Sequence, residues 1–241
     1  IMNTSFYVSL DKDALYHNIE YLREYKQKEL LPVIKANAYG HNSLLIAKAL
    51  YDFNIKTWAV ARFSEAITII EYMMKNFSIN DFKILVFESL GDDYSFLEKY
   101  PEICPTINSI KDLKNALANN ISIDRLSLKI DFGFGRNGIK AEEVDELKNL
   151  IKFNSLKFLG IFSHLFSATY TDGLEVIKKF TEVVSKLGRD NFEMVHLQNA
   201  AGIYNYDVDV VTHIRTGMLT YGLQEAGFYD HDLKPVFTGL I

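Results

Sequence analysis

One lysine of this chain, Lys35, occupies a position suited to covalent chemistry. It follows a short apolar run from Leu31 to Ile34 that is typical of a buried strand, and small residues and a glycine then lead to a helix predicted to begin near Asn42. Burying a lysine at the end of a core strand is costly. In a strand-to-helix loop, however, its amine can be desolvated into a nucleophile or a Schiff-base former. Taken alone, the position would also suit an ordinary exposed loop lysine.

Other polar residues occupy comparable positions further along the chain. They lie at, near or just after the ends of strand-like segments: Lys129, Arg136, His164, His196, Asn199 and Arg215. Each has a simple structural explanation, as a strand cap, an ion-pair partner or a histidine satisfied by the backbone. In a barrel of parallel strands, however, these ends share one face, where such folds build their active sites. The pattern therefore predicts one polar site, provided that the strands form a barrel.

A phosphate site is predicted after the last strand. The segment from Arg215 to Met218 contains Gly217, and a glycine there lets backbone N–H groups approach a phosphate. The loops after the seventh and eighth strands are the usual phosphate site of barrels, although a plain glycine turn would look the same. A metal site is not indicated, because the histidines lack compact ligand spacing. A serine hydrolase would need a Gly-x-Ser-x-Gly elbow, which the sequence lacks.

The elements that would position these residues alternate along the chain. Strand-like segments are predicted at 31–35, 57–61, 83–87, 103–108, 126–131, 158–163, 192–197 and 210–215, with amphipathic segments between most of them and a short last crossover. Eight strands that alternate with helices predict a (β/α)8 TIM-type barrel of the α/β class. An open doubly wound sheet is the alternative. It would need a glycine-rich fingerprint after the first strand, and Lys35-Ala-Asn-Ala-Tyr-Gly40 is not one.

The composition limits the class of protein. The chain has 241 residues, 48% of them hydrophobic, which is enough for one barrel of about 250 residues. Its net charge of -5 and the lack of a basic run argue against nucleic acid or an anionic membrane as a partner. Cys104 is the only cysteine, which suits a reducing cytoplasm. No uncharged run approaches the roughly 20 residues of a membrane helix, and no signal peptide is recognisable. We therefore expect a cytoplasmic protein.

The alternating pattern ends before the last residues. After Tyr221 it breaks off, and residues 234–241 have the pattern of a new strand. We therefore expect residues 1–230 to form the barrel and residues 231–241 to be the start of a C-terminal β-domain that is otherwise absent from this sequence.

Several segments together resemble the alanine racemases, which are fold-type III pyridoxal-phosphate enzymes. The segment Val33-Ile-Lys-Ala-Asn-Ala-Tyr-Gly-His41 closely resembles their cofactor-lysine motif. Further similar segments follow in the family's order: Asp13 to Asn18, Trp58 to Arg62 with Glu65-Ala66, Leu128 to Asp131 through Arg136-Asn-Gly138, Phe162 to His164, His196 to Asn199, and Ile214 to Gly217 with Tyr221-Gly222. The resemblance covers nearly the whole chain and implies the N-terminal barrel of that family.

The resemblance implies a role for each residue of the cofactor site. Lys35 would hold pyridoxal 5'-phosphate through a Schiff base and then act as the base on the D-side of Cα. Tyr39 would donate to the cofactor phosphate, together with the backbone N–H groups of Gly217 and Met218. Arg215 would face the pyridine nitrogen. Because an arginine does not give up its proton, the ring would stay unprotonated and be a weaker electron sink, which limits transamination.

The resemblance also implies residues that surround the cofactor. His164 would pack against the ring and hydrogen-bond to Arg215, and Arg136 would contact the cofactor phenolate and the substrate carboxylate. Lys129 matches a lysine that is carbamylated in some members and then orients the arginine. Asn199 would stabilise the residues that contact the cofactor. No metal is implied.

The chain departs from the family pattern at a few positions. Ala200 replaces a serine whose hydroxyl usually binds the phosphate, so about 1 kcal/mol of hydrogen bonding should be lost. Phe132-Gly-Phe134 replaces the common Thr-Gly-Met, and Asn137 replaces an aliphatic residue. The two phenylalanines are either packing residues or part of a reshaped substrate side.

The expected function is therefore that of an amino-acid racemase. The family interconverts L- and D-alanine by two-base proton transfer at Cα, which supplies D-alanine for peptidoglycan. Its members are head-to-tail homodimers in which a tyrosine of the partner's C-terminal domain is the second base, so the barrel alone should be inactive. The alternatives are a racemase for serine or a larger amino acid and a non-catalytic pyridoxal-phosphate carrier.

Overall fold

The structure is a computed structural model that describes residues 7–91, 93–165, 170–224 and 230–240. The strands are β1 (Tyr7–Leu10), β2 (Glu29–Pro32), β3 (Thr57–Val60), β4 (Lys83–Ser89), β5 (Ile103–Ile107), β6 (Ser127–Asp131), β7 (Ile139–Lys140), β8 (Phe158–Phe162), β9 (Phe192–His196), β10 (His213–Thr216) and β11 (Phe237–Leu240). The longer helices are Lys12–Lys26, Ser43–Asp52, Phe63–Phe77, Ile110–Ala118, Val144–Asn154 and Tyr170–Leu187, and the short ones are Phe96–Lys99 and Ala200–Asn205.

Eight parallel strands form the barrel. Strands β3, β4, β5, β6, β8 and β9 pair in that order, and β10 pairs with β2. Two backbone hydrogen bonds join these groups: Ile34 N–H donates to Ala59 O at 2.8 Å, and Thr212 N–H donates to Val195 O at 2.8 Å. The predicted α/β barrel is thus confirmed. The open-sheet alternative is wrong, because the first and last barrel strands are hydrogen-bonded to each other.

The helices pack on the outside of the strands through one apolar face. In the helix Phe63–Phe77, the buried residues are Ala66, Ile69, Ile70 and Met73. Their spacing of three and four residues is that of one face of a helix. Strand residues such as Ile84 and Val86 are buried in the same apolar cluster as these faces. Because the barrel strands are parallel, their carboxyl ends lie together at one rim of the barrel.

The first strand of the barrel, β2, ends earlier than expected. The sequence pattern predicted residues 31–35, whereas β2 spans Glu29–Pro32. Val33 still forms an isolated bridge to Ala59, but Ile34 leaves the extended conformation with φ -112° and ψ 24°, and residues 36–39 then take up left-handed backbone angles. Lys35 therefore lies in a turn beyond the strand end.

Three of the described strands lie outside the eight-stranded barrel: β7, which pairs only with β6, and the strands β1 and β11. β1 and β11 form an antiparallel pair in which Val8 is opposite Gly239. Residues 1–6, 225–229 and Ile241, which belong to the expected domain ranges, lie outside the described residues. Within the described ranges, no helix is long and apolar enough to cross a membrane.

Candidate active site

A cavity of about 620 Å³ opens at the rim formed by the carboxyl ends of the strands. Nine residues that the sequence singled out line it together: Lys35, Tyr39, Lys129, Arg136, His164, Asn199, Arg215, Gly217 and Met218. They come from the ends of five barrel strands and the segments that follow, which the barrel brings to one place. The volume lies within the usual range for small-molecule and cofactor sites.

Lys35 begins an unusual turn. The next four residues, Ala36 to Tyr39, all have φ between 51° and 55°. Left-handed angles cost an L-residue roughly 1–2 kcal/mol each, so the surrounding structure must hold the turn in place. The Asn37 side chain accepts from Ser43 N–H at 2.9 Å, and His41 Nδ1 lies 3.0 Å from Ala38 O.

A third contact reaches the start of the same turn from the first turn of the helix Phe63–Phe77. The carboxylate of Glu65 accepts from Ala36 N–H at 2.6 Å, and also from the N–H groups of Ala61 and Arg62 at 2.9 and 3.0 Å. The backbone beside Lys35 is therefore tied to the loop after β3.

Tyr39 and Gly217 meet at one side of the cavity. A Cβ atom at position 217 would lie 2.5 Å from the Tyr39 hydroxyl oxygen, so any other residue there would displace the tyrosine. The hydroxyl and the backbone of the loop after β10 thus form a small polar cradle, as expected for a phosphate site.

The guanidinium of Arg215 is held rigidly at the bottom of the cavity. It donates to His196 Nδ1 at 2.9 Å and to the carbonyl oxygens of Ser163 and Leu197 at 3.0 Å each. Burial and then the charge of Arg136 lower the pKa of Arg215 to about 10. The guanidinium therefore remains protonated at neutral pH.

The histidine that hydrogen-bonds to Arg215 differs from the one expected. His164 was expected to be the partner, but the histidine to which Arg215 donates is His196. Strand direction explains the correction, because His196 is the last residue of β9, next to β10, and points inward, stacked on Phe162 with ring centroids 4.7 Å apart. Burial lowers the pKa of His196 well below its usual value, so the ring is neutral and accepts from Arg215 through Nδ1.

His164 lines the cavity in a different way. Its ring centroid lies 5.1 Å from that of Phe134, and the Arg136 guanidinium carbon lies 4.9 Å from the centre of the same phenylalanine. Burial, followed by the charges of Arg215 and Arg136, lowers the pKa of His164 to about 4. It is therefore a neutral ring at physiological pH.

The two departing phenylalanines have different environments. Phe132 makes an edge contact with the buried Phe180, at 6.4 Å between centroids, so it packs against the helix Tyr170–Leu187. Phe134 instead contacts Arg136 and His164. The packing interpretation thus fits the first, and the substrate-side interpretation fits the second.

Lys129 is a buried amine inside the barrel. It is 4% exposed and donates to both the backbone and the side-chain oxygen of Asn137. Burial and then the charge of Arg136 lower its pKa to about 8. A substantial neutral fraction is therefore available near neutral pH.

The cavity also contains residues that the sequence analysis did not single out as site residues. Arg62 and Glu88, from the ends of β3 and β4, line it with Phe87 and Phe162. Polar residues at strand ends were used to predict the later site residues, and the same criterion applied to β3 and β4 would have predicted these two charged side chains as well. Five cations consequently face the cavity, and the ion pairs formed by the described residues include none of them.

The sequence matches a known family over most of its length. Residues 10–225 match the family model described as alanine racemase, N-terminal domain. The chain is similar to the alanine racemase of Fusobacterium nucleatum, with 32% identity over 223 residues that cover 89% of this chain and 60% of the relative. It is also similar to the alanine racemase of Aquifex aeolicus, with 30% identity over 96% of this chain and 63% of the relative. The chain thus spans about three fifths of the length of these curated relatives.

The fold is similar to those of solved alanine racemases. That of Corynebacterium glutamicum superposes with a TM-score of 0.80 at 22% identity, covering 97% of this chain and 68% of the other. That of Bartonella henselae, solved with covalently bound pyridoxal phosphate, gives a TM-score of 0.79 at 23% identity, covering 98% and 66%. At this level of identity the similarity establishes the fold.

Proposed function

The chain belongs to the family of alanine racemase N-terminal domains, and on this premise we propose that it is the cofactor-binding barrel of a pyridoxal-phosphate-dependent racemase that interconverts L- and D-alanine. The observation that carries the proposal is the convergence of Lys35, Tyr39, Arg136 and Arg215 on one cavity. An amine, a phosphate cradle and two guanidinium groups are the features that this chemistry requires.

The cavity suits pyridoxal phosphate by size and charge. Its volume of about 620 Å³ accommodates a small cofactor and a small substrate. The cradle between Tyr39 and Gly217 exists only because position 217 lacks a Cβ. The cations of the cavity lack carboxylate partners among the described residues, and a phosphate and a substrate carboxylate would supply the missing negative charge.

Lys35 and Arg215 would control the proton that moves. When bound, pyridoxal phosphate supplies an electron sink for the negative charge left at Cα. Lys35 would hold the cofactor and then take or return the Cα proton on the D-side. Arg215 keeps its proton because its pKa, about 10, is well above neutrality. It would therefore donate a hydrogen bond to the pyridine nitrogen without protonating it.

Arg136 and His164 would orient the substrate and the ring. Arg136 would bind the substrate carboxylate and the phenolate, where a guanidinium fork is favoured. His164, neutral because of its low pKa, would pack against the ring without adding positive charge. Asn199 donates to Leu165 O and accepts from Gly202 N–H, both at 3.0 Å, and would support the loop that carries the cavity wall.

Lys129 is the proposed site of a carbamate. A neutral amine adds to CO2, forming an N–C bond and releasing a proton, and the lowered pKa of about 8 makes this form accessible. The product would be an anion beside Arg136, which would orient the guanidinium. The Asn137 oxygens that accept from the amine could still accept its remaining N–H.

The wider assembly is also a proposal. Residues 1–230 would form the barrel domain, and residues 231–241 would belong to a C-terminal β-domain, which the pairing of β11 with β1 outside the barrel supports. The whole protein would be a cytoplasmic homodimer that supplies D-alanine for peptidoglycan. The second base would be a tyrosine of the partner's C-terminal domain.

A second candidate substrate follows from one contact. Phe134 lies against Arg136 and His164 on the proposed substrate side, so serine or a larger amino acid is the alternative to alanine. Racemisation of a panel of L-amino acids by the full-length protein would separate the two, because the preferred substrate has the highest kcat/KM.

The test of the proposed function is the absorption spectrum of the protein with added pyridoxal phosphate, beside that of Lys35→Ala. We expect a visible band from the lysine-bound cofactor in the wild type and none in the variant, with racemisation by the full-length protein reduced at least about a thousandfold. A variant that racemises at the wild-type rate would overturn the proposal.

A further inference from the structure

We propose that Glu65 is a positioning residue for Lys35, and that its carboxylate holds the left-handed turn in which the lysine is presented to the cavity. This inference rests on the proposed function, in which Lys35 carries the cofactor. Glu65 lies in the first turn of the helix Phe63–Phe77, on the strand-to-helix connection next to that of Lys35.

The turn needs support at its first residue. The N–H groups of Ala38 and Gly40 donate to backbone oxygens of the segment itself, at 3.0 and 3.1 Å. Ala36 N–H instead donates to Glu65 Oε1, at 2.6 Å. This amide belongs to the peptide bond that joins Lys35 to Ala36, so its direction sets the orientation of the lysine backbone.

The same carboxylate is anchored on its other side. Glu65 Oε2 accepts from Ala61 N–H at 2.9 Å and from Arg62 N–H at 3.0 Å. These residues follow β3, the strand hydrogen-bonded to Ile34 through Ala59. One side chain therefore links the loops after β2 and β3, and charge-assisted bonds of this kind are stronger than neutral ones.

The contacts divide the turn into two ends. Asn37 and His41 stabilise its later residues, and Tyr39 meets Gly217 on the phosphate side. Glu65 alone among these side chains bonds to Ala36 N–H. Removing its carboxylate should therefore loosen the lysine end and leave the phosphate end in place.

The test compares two probes that differ only in the group that reacts with the lysine. Pyridoxal phosphate can form a covalent bond to Lys35, whereas pyridoxamine phosphate has the same ring and phosphate but no aldehyde. The side chain introduced by Glu65→Gln has one acceptor oxygen, and its NH2 group cannot accept a hydrogen bond. It therefore cannot bond to Ala36 N–H and to the N–H groups of Ala61 and Arg62 at the same time.

We expect Glu65→Gln to raise the apparent Kd for pyridoxal phosphate on the order of tenfold, as judged by the visible band. The Kd for pyridoxamine phosphate should change less than about twofold. Glu143→Gln is the matched control, because Glu143 also accepts a backbone N–H at a helix start, from Lys140 at 2.9 Å, but does not line the cavity. Its Kd values should be those of the wild type.

A rescue variant tests the mechanism directly. Ala36→Gly removes the Cβ that makes positive φ unfavourable, so in the Glu65→Gln background it should restore part of the lost affinity. If Glu65→Gln does not fold, Glu65→Asp is measured instead, because its shorter carboxylate stays near the helix start and withdraws from Ala36.

Two results would overturn the role of Glu65. One is a Kd for pyridoxal phosphate equal to that of the wild type in both Glu65 variants. The other is an equal loss of affinity for pyridoxal phosphate and for pyridoxamine phosphate, which would indicate a general structural effect. A wild-type protein that shows no visible band would instead defeat the proposed function itself.

Discussion

Cations in the cavity and cations on the outer surface are arranged in opposite ways. On the surface, lysines lie close to carboxylates, for example Lys114 beside Glu146 and Lys186 beside Asp145, each at 2.7 Å. The cavity cations have no such partner among the residues that the structure describes. The surface cations are paired with carboxylates of the protein, whereas the proposed function assigns the pairing of the cavity cations to a phosphate and a substrate carboxylate.

The pKa values show the same contrast. On the surface, a hydrogen bond to Asp81 raises the pKa of Lys56. In the cavity, burial and the charge of Arg136 lower the pKa values of Lys129 and Arg215. Under the proposed function, a bound anion would offset the repulsion between these cations.

Among the variants that test this contrast, the largest effect is expected for a cavity cation other than Lys35. In the full-length protein, Arg136→Gln should lower kcat/KM for alanine on the order of 10- to 100-fold, because a charge-assisted bond to the carboxylate is lost. It should not lower the free energy of unfolding of the ligand-free protein, since it relieves repulsion in the cavity.

The surface control should behave in the opposite way. Lys114→Gln removes a paired, exposed cation, so it should lower the free energy of unfolding by about 0.5 kcal/mol or less and leave kcat/KM unchanged. Urea unfolding and steady-state kinetics on both variants check the contrast. A clear loss of stability in Arg136→Gln would show that its charge is compensated within the protein.

A smaller effect concerns pH. The pKa of His164 is about 4 in the folded protein and near 6.5 in the unfolded chain. Between these values the unfolded state binds more protons, so the free energy of unfolding should rise with pH from about 4 to 6.5 and gain nothing further from this group above that. After allowance for partial exposure, the contribution is about 1–2 kcal/mol.

His164→Gln removes this titration and should flatten the pH dependence in that window. Urea unfolding at a series of pH values, on the protein without cofactor, measures the difference. Parallel curves for variant and wild type would mean that neither burial nor the cavity charges lower the pKa of His164 in the folded protein.

The smallest effect concerns the phosphate side. Ala200 lines the cavity beside Asn199, and Ala200→Ser should tighten the binding of pyridoxal phosphate several-fold, by about 1 kcal/mol. Pyridoxal, which lacks the phosphate, should bind as before. Ala201→Ser, on the same short helix, is the control, and an equal gain from both variants would contradict a specific phosphate contact.

The sequence alone determined the architecture and most of the proposed site. Alternating apolar segments predicted the barrel because strand and helix periods are local properties of the chain. The strand-end positions of Lys35, Arg136 and Arg215 then placed these residues on one rim, since parallel strands share their carboxyl ends. Arg62 and Glu88 obey the same rule and could have been found by applying it to the early strands.

Only the tertiary structure decided the contacts made between distant segments. The partner of Arg215 is His196 because neighbouring barrel strands bring the two side chains together. The different roles of Phe132 and Phe134 depend on which surface each ring faces. The left-handed turn after Lys35 contradicts local preference and is held by Glu65, which is 29 residues from Ala36. Such features depend on long-range packing, which local sequence patterns do not encode.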